Sequence, residues 1–349
     1  NIDWKSEIQH SWWQYFVIIP LYLVIKASNM SNFSILVDLN KIRLTNLLLL
    51  PLSGVFFILS RVRFFCYKLG LFKVQHSSVP VIVVGNISAG GSGKTPIVIA
   101  LCHYFEQQGK RVGVVSRGYG GQYTQDVLLV TDSSTASECG DEPALISSET
   151  KASVVVARKR SLAVQYINEH ALADVIISDD GLQHYAMARK IEIAVVDGVD
   201  GFGNGLLLPA GPLREQPSRL KSVDIVINNG GDAEISSRLV AKQFVNAVSG
   251  EVKPLDNFQS VICYAVAGIA KPSRFFATLE DLGVDVIKRP FADHHPFSVK
   301  DLDFEDSHPI LMTSKDYVKC SDFATSQMWY LAVNAELSDR FYQQLESKF

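Results

Sequence analysis

The sequence has few cysteines, no excess of either charge and no uninterrupted apolar run of membrane-spanning length. Its five cysteines lie far apart and form no CxxC pair, which argues against a zinc site or a disulfide framework and favours a reducing compartment. The formal net charge of -3 provides no basic field, so general nucleic-acid binding has no electrostatic support, and no feature predicts a protein partner. With 349 residues, of which 47% are hydrophobic and 20% charged, the chain is typical of a globular protein with two domains or one large one.

Acidic residues are missing from most of the first third of the chain. None occurs between Glu7 and Asp38, or between Asp38 and Glu106. This region holds two apolar runs, at residues 12–25 and 47–59, and each contains a proline. Both are shorter than the ~20 residues that cross a bilayer. We therefore predict that neither is a transmembrane helix.

The second apolar run is followed by the cations Arg61, Arg63, Lys68 and Lys73. An apolar segment flanked by cations is typical of a helix that lies on an anionic membrane surface, so we predict a membrane-associated amphipathic helix over residues 46–75. The alternative is a buried helix or helical hairpin that packs on the main domain. A signal peptide is not expected, because no small-residue cleavage site follows either run.

Residues 1–45 form an N-terminal extension that the sequence leaves unassigned. Position 1 is Asn, and Met30 is the first methionine. The segment before Met30 is therefore either translated upstream sequence or part of a longer product, and the sequence leaves both open.

Apolar, valine-rich runs alternate with helical stretches after residue 78. Continuous apolar runs indicate strands buried on both faces, and their alternation with helices indicates a parallel α/β sheet. We predict a core domain at residues 76–235, with strands at 79–85, 111–116, 152–157, 174–179, 191–197 and 223–228. The pattern loosens near residue 235 and restarts at 261–283, 309–314 and 328–333. This predicts a smaller C-terminal α/β lobe, with a linker, over residues 236–349.

The strongest local motif is VVGNISAGGSGKTP at residues 83–96. A strand, a glycine-rich turn and a helix follow one another, which is the context of a phosphate-binding loop (P-loop), so the core is predicted to be P-loop NTPase-like. The usual first glycine is replaced by Ser88, and Gly90 and Gly91 compensate. Lys94 is expected to contact the β- and γ-phosphates and Thr95 to bind Mg²⁺. The predicted nucleotide-binding residues are Gly90, Gly91, Ser92, Gly93, Lys94 and Thr95.

A second magnesium-supporting group is expected at the end of a neighbouring strand. Asp179 directly follows the apolar run at 174–178, and Asp180 is adjacent. The alternative is that these aspartates only cap the next segment, because Asp favours turns and helix N-termini. We predict that one of the two supports the metal.

Three further groups of polar residues give weaker signals. Arg117 follows a strand and could meet an anionic substrate, although its glycine-rich surroundings are also explained by a turn. Asp141 and Glu142 begin a predicted helix, where carboxylates stabilise the helix dipole without any catalytic role. His294 and His295, considered alone, are more typical of surface or core histidines.

Seven blocks in this order resemble one known family: residues 85–96, 112–121, 140–146, 179–185, 202–215, 291–295 and 311–320. The chain is similar, from about Leu47 almost to its end, to the tetraacyldisaccharide 4'-kinases, the lipid A kinases of Gram-negative bacteria. The resemblance implies transfer of the ATP γ-phosphoryl group, with Mg²⁺, to the 4'-hydroxyl of a tetraacylated glucosamine disaccharide 1-phosphate. It also implies a two-stranded linker between core and lobe, and a peripheral or monotopic location at the cytoplasmic face of the inner membrane.

The same resemblance implies roles for individual residues. Asp141 and His294 match the family's proposed catalytic dyad, while Asp179 and Asp180 would support the metal. Six further residues fall in matching blocks and are expected to line the substrate site: Arg117, Glu142, Gln183, His184, Arg214 and Glu215.

Two other classes of nucleotide-binding protein share parts of this pattern. Membrane-bound ATPases of the partitioning type share the GGxGKT loop and a membrane helix, but their signature lysine is replaced by Ser88 here. GTPase metallochaperones use an [NT]KxD motif, whereas the lysine of Thr313-Ser314-Lys315-Asp316 stands one place late and no Cys/His cluster is present. The partitioning-type ATPase is the stronger alternative.

Overall fold

The computed structural model describes residues 41–349. The apolar run at residues 12–25 and most of the N-terminal extension lie outside the described residues. The described chain begins with a short helix, α1 (Leu44–Leu48), and a long one, α2 (Leu50–Lys68). Pro51 lies in the first turn of α2. Backbone N–H groups in the first turn have no partner within the helix, so the N–H that proline lacks is not needed there. The apolar run at 47–59 is therefore divided between α1 and α2, and α2 continues past it to Lys68.

The described residues contain one mixed sheet of thirteen strands in the order β11-β10-β12-β13-β8-β7-β6-β1-β5-β2-β4-β3, with β9 beside β8. The strands are β1 (Val81–Gly85), β2 (Val112–Ser116), β3 (Leu128–Leu129), β4 (Ser153–Val156), β5 (Val175–Ser178), β6 (Ile191–Asp197), β7 (Ile225–Asn229), β8 (Ser236–Asn246), β9 (Val252–Lys253), β10 (Ile262–Ala267), β11 (Asp285–Pro290), β12 (Ile310–Thr313) and β13 (Met328–Leu337).

Helices cover both faces of this sheet. The remaining α-helices are α3 (Lys94–Gln107), α4 (Ala136–Cys139), α5 (Asp141–Glu149), α6 (Arg160–Glu169), α7 (Pro272–Asp281), α8 (Ser314–Cys320) and α9 (Asp339–Lys348). Short 3₁₀ helices occupy Pro217–Ser222, Leu255–Phe258, Val299–Asp301 and Ser321–Phe323.

The strands β1 to β7, here called the core half, confirm the predicted α/β fold. Their six central members pair in parallel. β1, β2 and β5 are buried along their whole length, which explains why their sequences are continuously apolar. Because parallel strands end at the same edge, the residues that follow β1, β2 and β5 meet there. These are the glycine-rich loop, Arg117 and Asp179.

The strands β8 to β13 form the second half of the sheet. Its long strands β8 and β13 pair antiparallel, while β10, β11 and β12 pair in parallel. β8 has no apolar run because it is only partly buried, with polar and apolar residues interspersed, and this is why the sequence pattern appears to loosen there. We expect β8 and β13 to be the implied linker, and the predicted domain limits stay predictions.

The C-terminal helix α9 returns to the core half. Phe341 and Leu345 are buried in the same apolar cluster as Ile97, Leu101 and Phe105 of α3. The last ten residues of the predicted second lobe therefore pack beside the helix that follows the glycine-rich loop.

Candidate active site

The glycine-rich loop, defined here as residues 86–93, connects β1 to α3. Gly93 precedes α3 with a φ of +77°, a left-handed conformation that side chains other than glycine rarely adopt. α3 then begins at Lys94, and Thr95 is buried in its first turn. Inside the loop, the Asn86 side-chain amide donates a hydrogen bond of 3.0 Å to Ser92 Oγ. The first N–H groups of α3 and the loop backbone therefore form a site suited to an anion.

A second segment, residues 206–215, holds the outer side of this loop. Ala89 N donates to the Pro212 carbonyl over 2.7 Å, and Arg214 N donates to the Ile87 carbonyl over 2.7 Å. These backbone contacts bring the Arg214 side chain beside the strand end that carries the two aspartates. Sequence spacing alone does not predict this pairing.

Asp180 is held by cations. Arg214 Nη1 lies 2.9 Å and 3.0 Å from its two carboxylate oxygens, and Lys94 Nζ lies 3.5 Å from Oδ1. Burial opposes ionisation, but the charges of Arg214, Lys94 and Arg160 hold the pKa of Asp180 far below its ordinary value. Asp180 is thus an ionised partner for the lysine of the loop.

Asp179 has the opposite environment. It is 1% exposed, and neither of its carboxylate oxygens has a hydrogen-bond partner. Burial first, and then the negative charges of Glu142 and Asp180, raise the pKa of Asp179 well above its ordinary value. A buried carboxylate without a donor is costly unless a cation satisfies it.

These residues fit a magnesium ion that arrives with a nucleotide. The described part of the chain contains no group of three His, Cys, Asp or Glu residues arranged to hold a metal on its own. Mg²⁺ prefers oxygen ligands and is commonly held by one or two protein groups together with substrate phosphates. The unpartnered carboxylate of Asp179 and the hydroxyl of Thr95 are donors of that kind.

Asp141 and His294 meet although they are 153 residues apart. His294 Nδ1 lies 2.8 Å from Asp141 Oδ2. Asp141 is the first residue of α5 and follows Gly140, which has a φ of +96°. His294 lies in the loop after β11, where its N–H donates to the Gly268 carbonyl over 3.2 Å. The pair thus joins the core half to the second half.

The electrostatics of this pair favour its charged form. Burial acts to raise the pKa of Asp141, but the hydrogen bond from His294 and the charge of Lys315 hold it below its ordinary value. Burial also disfavours the imidazolium, yet the hydrogen bond to Asp141 raises the pKa of His294. Asp141 is therefore ionised at neutral pH.

Lys315 is a member of this site that the sequence analysis left without a role. Its Nζ lies 3.1 Å from Glu142 Oε1 and 3.7 Å from Asp141 Oδ2. These carboxylates outweigh its burial and raise the pKa of Lys315. The signal was present, because Lys315 lies in the first turn of a helix that follows a buried strand, in a block that carried the resemblance. Here it meets carboxylates of the core half.

The other predicted substrate residues fall into separate groups. Gln183 Nε2 donates to Glu215 Oε1 over 2.7 Å and to the Asn86 carbonyl over 3.0 Å. Tyr185, which sequence reasoning missed, donates to Glu215 Oε2 over 2.9 Å. Gln183 and Glu215 therefore brace the start of the glycine-rich loop. Their predicted contact with substrate stays a prediction.

Arg117 and His184 differ in exposure. Arg117 is exposed after β2. Burial and the positive charges of Arg160, Arg63 and Arg117 lower the pKa of His184. A neutral His184 adds no positive charge to this region, so Arg117 is the better candidate for an anion.

Helix α2 packs on the protein through Ser53 and aromatic rings and exposes an apolar stripe on its other side. Ser53 Oγ donates to the Leu207 carbonyl over 2.9 Å, and Asn46 Nδ2 donates to the Ala210 carbonyl over 2.8 Å. Lower on the helix, the Phe64 ring lies 5.3 Å from that of Tyr185. The outward face is formed by exposed apolar residues, Leu52, Val55, Ile58, Val62 and Phe65. By length and composition, α2 is the one helix in the described part of the chain that could cross a membrane.

Three comparisons with known proteins give one answer. The family described as "Tetraacyldisaccharide-1-P 4'-kinase" (LpxK) matches residues 45–349. A protein named "Tetraacyldisaccharide 4'-kinase" from Ruthia magnifica subsp. Calyptogena magnifica is 52% identical over 313 residues, which are 89% of this chain and 99% of that protein. A crystal structure of LpxK from Aquifex aeolicus in complex with ATP is 28% identical, with a TM-score of 0.72 over 87% of this chain and 99% of that one.

Proposed function

The chain belongs to the tetraacyldisaccharide-1-P 4'-kinase family, and on that premise we propose how its residues phosphorylate a tetraacylated disaccharide 1-phosphate in lipid A synthesis. ATP provides the γ-phosphoryl group, and the sugar 4'-hydroxyl accepts it. The observation that carries the proposal is the contact of 2.8 Å between Asp141 and His294, at the edge of the sheet where the glycine-rich loop ends.

The glycine-rich loop binds the phosphates in this proposal. The backbone N–H groups of residues 90–95 surround the terminal phosphates of ATP, and Lys94 leaves Asp180 to contact the β- and γ-phosphates. Arg214 keeps Asp180 ionised meanwhile. Because phosphoryl transfer depends mainly on position and charge, this part accounts for most of the catalysis.

The ionised Asp141 accepts the proton. As the 4'-oxygen bonds to the γ-phosphorus, the bond from that phosphorus to the β,γ-bridging oxygen breaks and ADP leaves. The hydroxyl proton passes to the Asp141 carboxylate, which His294 and Lys315 hold in place. A group that accepts this proton contributes about 10²- to 10⁴-fold to the rate.

Asp179 and Thr95 hold Mg²⁺ in this proposal, and Asp179 is preferred over Asp180. The carboxylate oxygens of Asp179 have no hydrogen-bond partner, whereas those of Asp180 are bound by Arg214. When bound, the ion neutralises charge that develops on the β- and γ-phosphate oxygens.

Helix α2 lies on an anionic membrane at the cytoplasmic face of the inner membrane. A helix that spans the bilayer would have lipid on all sides, but one face of α2 is fixed to the protein by Ser53. Its outward residues enter the lipid, and Arg61 and Lys68 meet the headgroups. This location suits the acceptor, since moving acyl chains into water costs ~0.8 kcal/mol per CH₂.

Transfer of ³²P tests the kinase against its strongest alternative. The purified chain is incubated with [γ-³²P]ATP, MgCl₂ and tetraacyldisaccharide 1-phosphate in mixed micelles, with a Lys94→Ala variant as control. We expect labelled lipid from the wild type and almost none from the variant. Release of ³²P-phosphate without labelled lipid would favour the partitioning-type ATPase instead.

A further inference from the structure

The sheet passes from its core half to its second half through a narrow joint. β7 and β8 pair at only two positions, Asn228 with Ser236 and Asn229 with Ser237. By contrast, β8 and β13 pair along nearly their whole length. Among the described residues, these two pairs are the whole of the strand pairing between β8 and the core half.

One of the two pairs also carries a side-chain contact to the glycine-rich loop. Asn229 Nδ2 donates to the Ser92 carbonyl over 3.0 Å, and Ser237 Oγ donates to Asn229 Oδ1 over 3.0 Å. Asn229 is 7% exposed and Ser237 is 2% exposed. Both ends of the Asn229 amide are thus used, and its orientation is fixed.

The loop is shaped to receive this amide. A Cβ atom added to Gly93 would lie 2.1 Å from Asn229 Nδ2, so any larger residue at position 93 would displace the amide. Beside it, a Cβ added to Gly91 would lie 2.9 Å from Ala270 Cβ in the second half. The loop therefore touches the second half directly as well as through the joint.

We propose that Asn229 and Ser237 are positioning residues that fix the glycine-rich loop for ATP and link its shape to the orientation of β8. The Ser92 carbonyl belongs to the peptide unit whose N–H is that of Gly93, so its position sets where that N–H points. Ser237 is the second residue of β8, and its hydroxyl holds the Asn229 amide. The direction of the Gly93 N–H therefore depends on where β8 begins. Asn229 and Ser237 act on ATP through the loop, without touching it.

The variants Asn229→Asp and Ser237→Ala test this inference, which rests on the proposed kinase activity. Asn229→Asp keeps the acceptor for Ser237 and loses the donor to Ser92. We expect the KM for ATP to rise about tenfold, as for the loss of one buried hydrogen bond, with the KM for the lipid acceptor unchanged. Because Asn229→Asp also introduces a negative charge, Ser237→Ala provides the neutral test, and its KM for ATP should rise severalfold.

A matched control and a direct binding measurement complete the design. Ser236→Ala changes the same residue type at the neighbouring position and should behave as wild type. Binding of a non-hydrolysable ATP analogue, measured by titration calorimetry, should weaken in Asn229→Asp and Ser237→Ala even if the lipid acceptor were wrong. The loss of ATP affinity in the double variant should be smaller than the product of the two single losses, since both residues belong to one series of hydrogen bonds.

Three results would overturn the inference. An unchanged ATP affinity in Ser237→Ala would remove the link to β8. A parallel rise in the KM for ATP and for the lipid, with a lower melting temperature, would indicate a merely structural role. If the losses of ATP affinity in the two single variants multiplied fully in the double variant, Asn229 and Ser237 would act independently and not through one series of hydrogen bonds.

Discussion

Two of the proposed active-site residues have a left-handed backbone. Asp180 has a φ of +48° and His294 a φ of +58°, a conformation that costs energy in residues other than glycine and persists where the surroundings enforce it. The hydrogen bond to the Gly268 carbonyl holds His294, and the contacts of Arg214 hold Asp180. We interpret this strain as the result of aiming both side chains at the same edge of the sheet.

Loss of either member of the Asp141–His294 pair should reduce turnover. We expect Asp141→Asn and His294→Asn to lower kcat by about 10²- to 10⁴-fold, because proton transfer and its alignment are lost. Asn tolerates the left-handed backbone at position 294. The rate of ³²P transfer to lipid measures the effect. His295→Asn serves as the matched control, and wild-type turnover in both dyad variants would refute the assignment.

The pair should also make stability depend on pH. Asp141, Asp293 and Lys315 surround His294, and their combined effect is a raised pKa. A raised pKa in the folded state means that His294 stabilises the fold fully below its unfolded pKa near 6.5, and that this contribution is lost as pH rises through the folded value. At low pH it is lost again, because Asp141, whose pKa is lowered, becomes protonated.

The difference in melting temperature between wild type and His294→Asn measures this dependence. We expect the difference to be largest between about pH 4 and 6.5 and to shrink above neutral pH. A difference that does not vary between pH 5 and 9 would contradict the charged pair.

At the scale of elements, α2 exposes a continuous apolar stripe although its inner side packs on the protein. Its polar Ser53 is buried against the protein, while Val55 and Val62 are 51% and 54% exposed. In a helix of a water-soluble domain the apolar face is the buried one. This arrangement supports lipid as the environment of the outer face.

Charges on the outer face of α2 should abolish membrane binding. Each valine contributes about 1.5 kcal/mol when it leaves water, or about tenfold in partitioning, so we expect Val55→Glu/Val62→Glu to stop sedimenting with anionic vesicles. Val299→Glu, at another exposed valine, should sediment as wild type does. If the double variant remained with the vesicles, the surface role of α2 would be wrong.

At the scale of the molecule, a group of ion pairs links the two halves. Arg274 of α7 donates to both oxygens of Asp197, over 2.9 Å and 3.0 Å, and Lys271 contacts Asp197 and Asp200. Asp197 ends β6, next to the strand that precedes the glycine-rich loop. Burial acts to raise the pKa of Asp197, but the contacts with Arg274 and Lys271 outweigh it and hold this pKa far below its ordinary value. The half that carries His294 is thereby tied to the half that carries Asp141.

Removal of this link should affect turnover more than ATP binding. We expect Arg274→Gln to lower kcat severalfold, because His294 and Asp141 lose their alignment, and to raise the KM for ATP by a smaller factor. Lys288→Met breaks an ion pair with Glu280 inside the second half and should leave kcat unchanged. Equal loss in both variants, or none in Arg274→Gln, would show that the link does not align the dyad.

The sequence alone determined the parts of this protein that depend on local pattern. Buried parallel strands are apolar throughout, so β1, β2, β4, β5, β6 and β7 were predicted within two residues at each end. The glycine-rich loop and the order of seven motif blocks were sufficient for the family. These signals are local because consecutive residues form both the apolar run of a buried strand and the glycine pattern of the loop.

Only the tertiary structure decided what depends on distant residues. It showed that Lys315 lies near Asp141, that Arg214 binds the carboxylate of Asp180, and that the carboxylate of Asp179 has no hydrogen-bond partner. It also showed that α9 packs on α3. β8 was missed because a half-exposed strand lacks a continuous apolar run. Contacts such as that between Asp141 and His294 join residues 153 positions apart. No local sequence pattern predicts which distant residues will be in contact, because the packing of the whole chain determines it.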